Sequence, residues 1–270
     1  MDYSQFAIFS DLDGTLFNEQ SKISPENRAA LEQFMAQGGL FGLCTGRSPS
    51  NAATMLDGLQ VNTWSVMLGG AEAYHFPSHN VAFPKTLTRI RMAVFLWEVL
   101  ELLPQIDVLV YTESRLFFLS DPEKVDPAFW DSHQPASFVS LSEALYFPWL
   151  KVLFRAPREV LQVLEEGAAR RGIFEICSRV YTREDYLEFL PVGVHKGMCL
   201  RNLRTLEELK DRKFVVVGDG LNDLEALGEA DIAVAVENAL PIVKYRAGYM
   251  TASNENHALA RLIYDILPTL

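Results

Sequence analysis

The sequence predicts an α/β protein in which a doubly wound, Rossmann-like parallel sheet is interrupted by an inserted α+β domain. Three observations predict it. Short apolar runs alternate with helical patterns near both ends of the chain, the signature of βαβ units and right-handed crossovers. Between about residues 83 and 188 the alternation gives way to hairpins and amphipathic helices. The first pattern then returns, so residues 1–82 and 189–270 read as one domain and residues 83–188 as an insertion entering and leaving at exposed loops.

The elements follow in order. Phe6 to Phe9 is a short apolar run bounded by turn residues, a buried strand. Ser24-Pro25-Glu26 reads as a helix N-cap with proline at the first helical position, and the helix stops at Gly38-Gly39. Leu40 to Cys44 is a second strand, Pro49 to about Leu59 a helix, and Trp64 to Leu68 a third strand ending at Gly69-Gly70-Ala71. In the insertion, Thr86 to Leu103 reads as one helix. Ile106 to Tyr111 and Leu116 to Leu119 form a hairpin across Thr112-Glu113-Ser114, and Asp121 to Pro135 is a loop rich in Asp and Pro. Leu150 to Phe154 is a strand, Pro157 to Arg171 a helix, and Ile173 to Cys177 and Tyr186 to Leu190 are further strands. Trp97, Trp130 and the phenylalanines are expected in the core. Lys196 to Lys210 is a helix and Phe214 to Val217 a strand. A short helix to Gly228, a strand Ile232 to Val236, a helix Pro241 to Tyr245, a strand Tyr249 to Thr251 and a helix His257 to Leu267 complete the chain.

Composition narrows the function classes. Hydrophobic residues at 49% and charged residues at 22% describe an ordinary soluble globular chain. The formal charge of −11 (24 basic against 35 acidic residues) argues against nucleic acid or an anionic membrane as partner. A small anionic substrate stays compatible with it. The three cysteines, Cys44, Cys177 and Cys199, show no CxxC spacing and suit buried free thiols in a reducing compartment. The first residues lack a basic segment followed by a long apolar one, and no uncharged apolar run reaches ~20 residues. No signal peptide or membrane span is expected, and the expected location is cytoplasmic. Oligomeric state is left open.

The strand ends carry the chemistry. In a doubly wound sheet the carboxyl ends of the strands converge on one crevice. The first strand delivers Asp11 and Asp13, the second Thr45, the helix after the insertion Lys196, and the strand at Phe214 delivers Asp219, Asn222 and Asp223. Carboxylates crowded at one spot repel one another, and a hard divalent cation relieves them. Mg²⁺ is typically held by one or two carboxylates, with water and substrate phosphate completing its octahedron. Thr45, Lys196 and the Gly14–Thr15 backbone would then hold the phosphoryl oxygens. One aspartate is left as nucleophile and another as proton shuttle. Each aspartate alone also suits a turn or helix cap, Asn222 and Asp223 especially. A cation at a helix start, as at Lys196, is disfavoured unless an anion sits beside it. Arg47 and His195 read as loop residues, and Glu188 and Arg183 as candidates for substrate selection.

DLDGT at Asp11–Thr15, TGR at Thr45–Arg47, HKG at His195–Gly197 and GDGLND at Gly218–Asp223 resemble the haloacid dehalogenase-like (HAD) hydrolases. The Cof-type branch, with an α/β cap inserted after the third core strand, is the most similar. Ala233–Ala239 and Val243-Lys244 also resemble that branch. One departure stands at Gly69-Gly70-Ala71, where the branch often has Asn-Gly-Ala. The resemblance implies that Asp11 is the nucleophile, forming an aspartyl-phosphate, and that Asp13 is the general acid/base with its backbone carbonyl on Mg²⁺. It implies phosphoryl binding by Thr45, Gly46 and Lys196, and metal ligation by Asp11, Asp13 and Asp219 with support from Asn222 and Asp223. The activity implied is Mg²⁺-dependent hydrolysis of a small phosphorylated metabolite, such as a sugar phosphate or phosphoglycerate derivative, with the cap closing over the substrate. A phosphomannomutase-like phosphotransferase and a phospho-ligand sensor without turnover are the alternatives.

Overall fold

A computed structural model describes residues 2–113, 115–131 and 136–270. The chain divides into two compact units, Met1–Phe83 with His195–Leu270, and Pro84–Val194. Each has its own buried apolar core.

The first unit is built on a five-stranded, wholly parallel sheet. Its strands lie in the order Tyr249–Met250, Ile232–Ala235, Lys213–Gly218, Phe6–Ser10, Leu40–Leu43. Every residue of Phe6–Ser10 is buried. A central parallel strand is covered on both faces, and this explains a continuous apolar run rather than alternation. From Phe6–Ser10 the chain steps to Leu40–Leu43 on one side, and after the insertion it fills the other side outward from Lys213–Gly218. The order therefore reverses between Phe6–Ser10 and Lys213–Gly218, whose residues pair from Phe6 with Lys213 to Ser10 with Val217. Asp11 and Asp219 sit just past the carboxyl ends of these two strands.

Helix ends follow the sequence signals. Ser24 and Ser48 cap Pro25–Ala36 and Pro49–Met55, each accepting the backbone N–H three residues on. The second helix stops at Met55, short of Leu59. Lys196–Leu203 also ends early, and turns rather than helix continue to Lys210. Trp64–Met67 joins the parallel sheet only by a bridge from Val66 to Cys44. It otherwise starts an antiparallel three-stranded sheet with Glu72–His75 and Asn80–Ala82, two strands not expected from the sequence. The C-terminal stretch is a short turn at Asn254–Asn256, a helix Ala258–Arg261 and a widened turn Leu262–Ile266, not one regular helix.

The second unit has a six-stranded sheet in the order Cys177–Arg183, Tyr186–Pro191, Lys151–Arg155, Asp107–Tyr111, Leu116–Phe118, Ser137–Phe138. Its pairs are antiparallel except the last. Alternate residues (Val108, Val110, Val152, Phe154, Leu187 and Phe189) form its core with helices Arg89–Leu102 and Arg158–Arg170. Two expectations are corrected. Ile173 to Cys177 is not a strand: Gly172 ends the helix in the left-handed region, Ile173–Glu175 forms one tight turn, and the strand begins at Cys177. Trp97 is not core but 60% exposed, because Met92, Ala93, Phe95, Leu96 and Val99 already fill the inward side of its helix. The loop expected from Asp121 to Pro135 contains a helical turn at Pro127–Asp131, and residues 132–135 lie outside the described residues, as does Ser114.

Candidate active site

The switch point gathers the charges. Asp11 N–H donates to Val217 O at 3.0 Å, so the residue leaves its strand still bonded to the neighbouring one. Lys196, at the start of its helix, reaches Asp11 Oδ1 at 3.0 Å and Asp223 Oδ1 at 2.7 Å. Its side chain and that of Asp223 are each 1% exposed. The other oxygen of Asp223, Oδ2, accepts the backbone N–H groups of Asp219 and Gly220 at 3.1 and 3.0 Å. Asp219 Oδ1 accepts the Thr15 hydroxyl at 2.8 Å. Carboxylate oxygens of Asp11, Asp219 and Asp223 all lie within 4.8 Å of one another.

Backbone constraints hold this packing. Gly14 has φ of +77°, and a Cβ there would stand 2.6 Å from Asp219 Oδ2, so only glycine lets the loop pass so close to the carboxylate. Asn238 fastens the same loop: its amide donates to Gly14 O at 2.7 Å and its Oδ1 accepts Asn254 N–H at 3.0 Å. Asn254 in turn donates to Phe17 O. His195 is the N-cap of the Lys196 helix, with Nδ1 accepting Met198 N–H at 3.2 Å, and is not merely a loop residue. That places a cation at a helix N-terminus, an unfavourable position offset here by two carboxylates.

Burial sets the protonation balance. It pushes Asp11 up to about 8, against the pull of Lys196, with Asp223, Asp219 and Asp13 adding to the rise. Burial likewise raises Asp219 to about 6, opposed by the Thr15 hydroxyl. For Lys196 burial works against the charge, but Asp11 and Asp223 outweigh it and hold the ammonium above its ordinary range. Cys44, buried at the end of the next strand, has its thiol raised well above its usual value and is inert at neutral pH.

The remaining expected residues are placed as follows. Thr45 is buried at the end of Leu40–Leu43, its N–H donating to Val66 O and its hydroxyl accepting Arg47 N–H. Gly46 follows it, half-buried. Asn222 is half-buried in the turn Leu221–Asp223. The Asp13 carboxylate stands apart from the buried trio. Arg47 grips it from Nε to Oδ2 and from Nη2 to Oδ1, both at 2.7 Å, and Arg47 Nη1 donates to Asn51 Oδ1 at 2.6 Å. Arg47 is therefore bound to a site residue rather than lying free in a loop. Gly69, where the resembling branch often has asparagine, has φ of +68°, a left-handed conformation that asparagine also tolerates. In the second unit, Glu188 is buried against Lys151 at 2.9 Å, and Arg183 pairs with Asp185. Sequence reasoning missed the Thr15 hydroxyl, Asn51 and the Asn238 clasp. Only the asparagine in the Ala233–Ala239 segment offered a signal, as a feature of the resembling branch.

The donor set is all oxygen. When all three carboxylates are ionised they leave two negative charges against one ammonium in a buried space, and a hard divalent cation would be the complement that favours that ionised state. A buried acidic cluster with a lysine at a strand-end crevice has the residue types and the place in the sheet that phosphoryl-handling enzymes use.

Comparison with known proteins supplies the family. The profile of the haloacid dehalogenase-like hydrolases matches residues 8–263, and the chain belongs to that family. That family makes it a hydrolase, and the relatives it matches over most of its length include proteins named phosphatases. It is 24% identical to the 5-amino-6-(5-phospho-D-ribitylamino)uracil phosphatase YwtE of Bacillus subtilis over 96% of this chain and 97% of that protein. Its fold matches a haloacid dehalogenase-like hydrolase from Bacteroides thetaiotaomicron with TM-score 0.85 at 23% identity, covering 97% of this chain and 99% of the other. It also matches the HAD subclass IIB sugar phosphatase BT4131 with TM-score 0.75 at 21% identity, covering 96% and 97%. No helix among the described residues is long and apolar enough to cross a membrane.

Proposed function

We propose that the protein hydrolyses a small phosphorylated metabolite, a sugar or polyol phosphate or a phosphoglycerate derivative, through an aspartyl-phosphate on Asp11 with Mg²⁺ as cofactor. The observation that carries this reading is the buried set Asp11, Asp219, Asp223 and Lys196 at the switch point of a parallel sheet. The substrate class draws on the relatives, one acting on a phosphorylated ribityl compound and another described as a sugar phosphatase.

In the first step an oxygen of Asp11 bonds to phosphorus as the ester P–O bond breaks, and Asp13 gives its proton to the departing oxygen. In the second, Asp13 takes a proton from water as that water bonds to phosphorus, the bond to Asp11 breaks, and inorganic phosphate leaves. Thr45, Gly46 and Lys196 hold the phosphoryl oxygens, and Lys196 also orients Asp11. Mg²⁺ would be held by the carboxylates of Asp11 and Asp219 and the backbone carbonyl of Asp13, with support from Asn222 and Asp223, and would supply positive charge that favours ionised Asp11 and Asp219 and offsets charge on the phosphoryl oxygens. Phosphate-ester hydrolysis needs acceleration of up to ~10²¹-fold, whereas acid–base help alone gives ~10²–10⁴, so fixed charge and a covalent step must combine.

The test is phosphate release from a panel of sugar phosphates, polyol phosphates, phosphoglycerates and nucleotides, run with Mg²⁺, with EDTA and with Asp11→Asn. Release that disappears both in EDTA and in the variant supports the reading. Interconversion of sugar phosphates without phosphate release would mean a mutase instead, and tight binding without turnover a sensor.

A further inference from the structure

We infer that Arg47 is a positioning residue that acts through Asp13: its guanidinium aims the Asp13 carboxyl at the ester oxygen and stabilises the charge that appears on Asp13 as its proton leaves. The inference rests on the assignment of Asp13 as the proton donor.

The geometry separates Asp13 from its neighbours. Asp11, Asp219 and Asp223 cluster around Lys196, whereas Asp13 has a side chain 54% exposed and is bonded to Arg47 by two parallel N–H···O contacts of 2.7 Å. An aspartate that open to solvent would sample several rotamers unless something fixed it. The fork does so, because two contacts from one rigid plane define the carboxylate's orientation as well as its place. Arg47 is fixed in turn. Its third donor meets Asn51 Oδ1 at 2.6 Å, in the first turn of the helix Pro49–Met55, and its backbone N–H donates to Thr45 Oγ1 at 3.2 Å. The proposed phosphate-binding segment and the proton donor are thus connected through one side chain.

The proton step follows. With its proton on, the Asp13 carboxyl gives up one of the two guanidinium contacts and keeps the other, so it stays aimed. As the O–H bond of Asp13 breaks and the proton bonds to the departing ester oxygen, the electron pair left behind makes Asp13 a carboxylate and the second contact re-forms. The interaction strengthens along the step, which is the condition for a contact to accelerate it. A lysine at position 47 keeps the charge but has no planar fork.

An ester whose leaving group departs unaided needs no proton, and this supplies the test. Phosphate release from p-nitrophenyl phosphate and from an alkyl phosphate is measured for the wild type, Arg47→Ala, Arg47→Lys and Asn51→Ala, with thermal unfolding of each recorded. The expected result is a loss of kcat on the alkyl phosphate of roughly 10–100-fold in Arg47→Ala, within the ~10²–10⁴ that acid–base help supplies. The p-nitrophenyl ester should lose less than about threefold by the same reasoning. Added methylguanidinium should restore part of the loss in Arg47→Ala. Asn51→Ala should show the same selectivity at smaller size, which keeps the test open if Arg47→Ala unfolds. Equal losses on both esters, or no loss on either, overturn the positioning role while leaving the phosphatase reading intact. A wild type that releases phosphate from neither of these esters nor from any ester of the panel above removes that underlying reading and this role with it.

Discussion

Lys196 is the residue on which the buried carboxylates depend. It offers a single positive charge to Asp11 and Asp223 and is itself almost wholly enclosed. Removing one partner of a buried ion pair typically costs ~3–5 kcal/mol, because the other charge stays behind unpaired. Lys196→Met is therefore expected to lower the unfolding midpoint by several degrees and to abolish turnover, and differential scanning calorimetry checks the first. Asp219 carries a separable part of the pH dependence. Its folded-state value of about 6 lies above the ordinary 3.8, so the fold favours its protonated form. In metal-free protein that contribution is complete below pH 3.8 and is lost as pH rises through 6. The difference in stability between wild type and Asp219→Asn in EDTA should accordingly shift against the wild type over that window. A difference that stays flat would contradict the burial argument. At this scale the sequence pointed to Asp11, Lys196, Asp219 and Asp223, which the structure brings together, since polar groups ending apolar strands face the crevice. It did not disclose their pairings. Arg47 meets Asp13 across 34 positions and Thr15 meets Asp219 across 204, and such distances are closed by topology, not by local pattern.

Elements tell a similar story. Phe6–Ser10 and Lys213–Gly218 were readable because both faces of a central parallel strand are apolar. The helix Arg89–Leu102 was readable as a helix, but with apolar side chains nearly all round its pattern did not say which face was inward, and Trp97 was misplaced for that reason. Ile173–Glu175 looked like a strand by its apolar content, and the left-handed Gly172 before it turned the chain instead. In the second unit, Lys151 and Glu188 form an ion pair on the sheet, with side chains 2% and 7% exposed and the Lys151 ammonium 4.3 Å from the centre of the Tyr111 ring. Lys151→Met alone should destabilise the protein by ~3–5 kcal/mol, whereas Lys151→Met with Glu188→Leu should recover most of that loss or exceed wild type. Denaturant titration of the two variants distinguishes them, and a double variant as weak as the single would show that the pair is not the cause.

At the scale of the whole molecule, the order of the core sheet decides where chemistry can occur. Reversal between Phe6–Ser10 and Lys213–Gly218 opens the crevice, and the inserted unit interrupts the chain between the residues that line it. The alternation of apolar runs and helices made this architecture legible, because each βαβ unit leaves its own periodicity in the sequence. The hairpin Glu72–His75 and Asn80–Ala82 was not legible, since its strands are short and partly exposed. The oxygen-rich cluster of Asp11, Asp219 and Asp223 at the switch point predicts that Mg²⁺ stabilises the fold as a whole. At a concentration 100-fold above its dissociation constant a ligand adds ~2.7 kcal/mol, enough to raise the unfolding midpoint by several degrees. The same addition to Asp219→Asn should give a smaller rise.

The most direct measurement is the mass of peptides from protein quenched in acid during turnover of a small sugar phosphate. The account predicts one added phosphoryl group on the peptide containing Asp11, and none in Asp11→Asn. Turnover with no phosphoryl group on that peptide, or with the group on another residue, would contradict it.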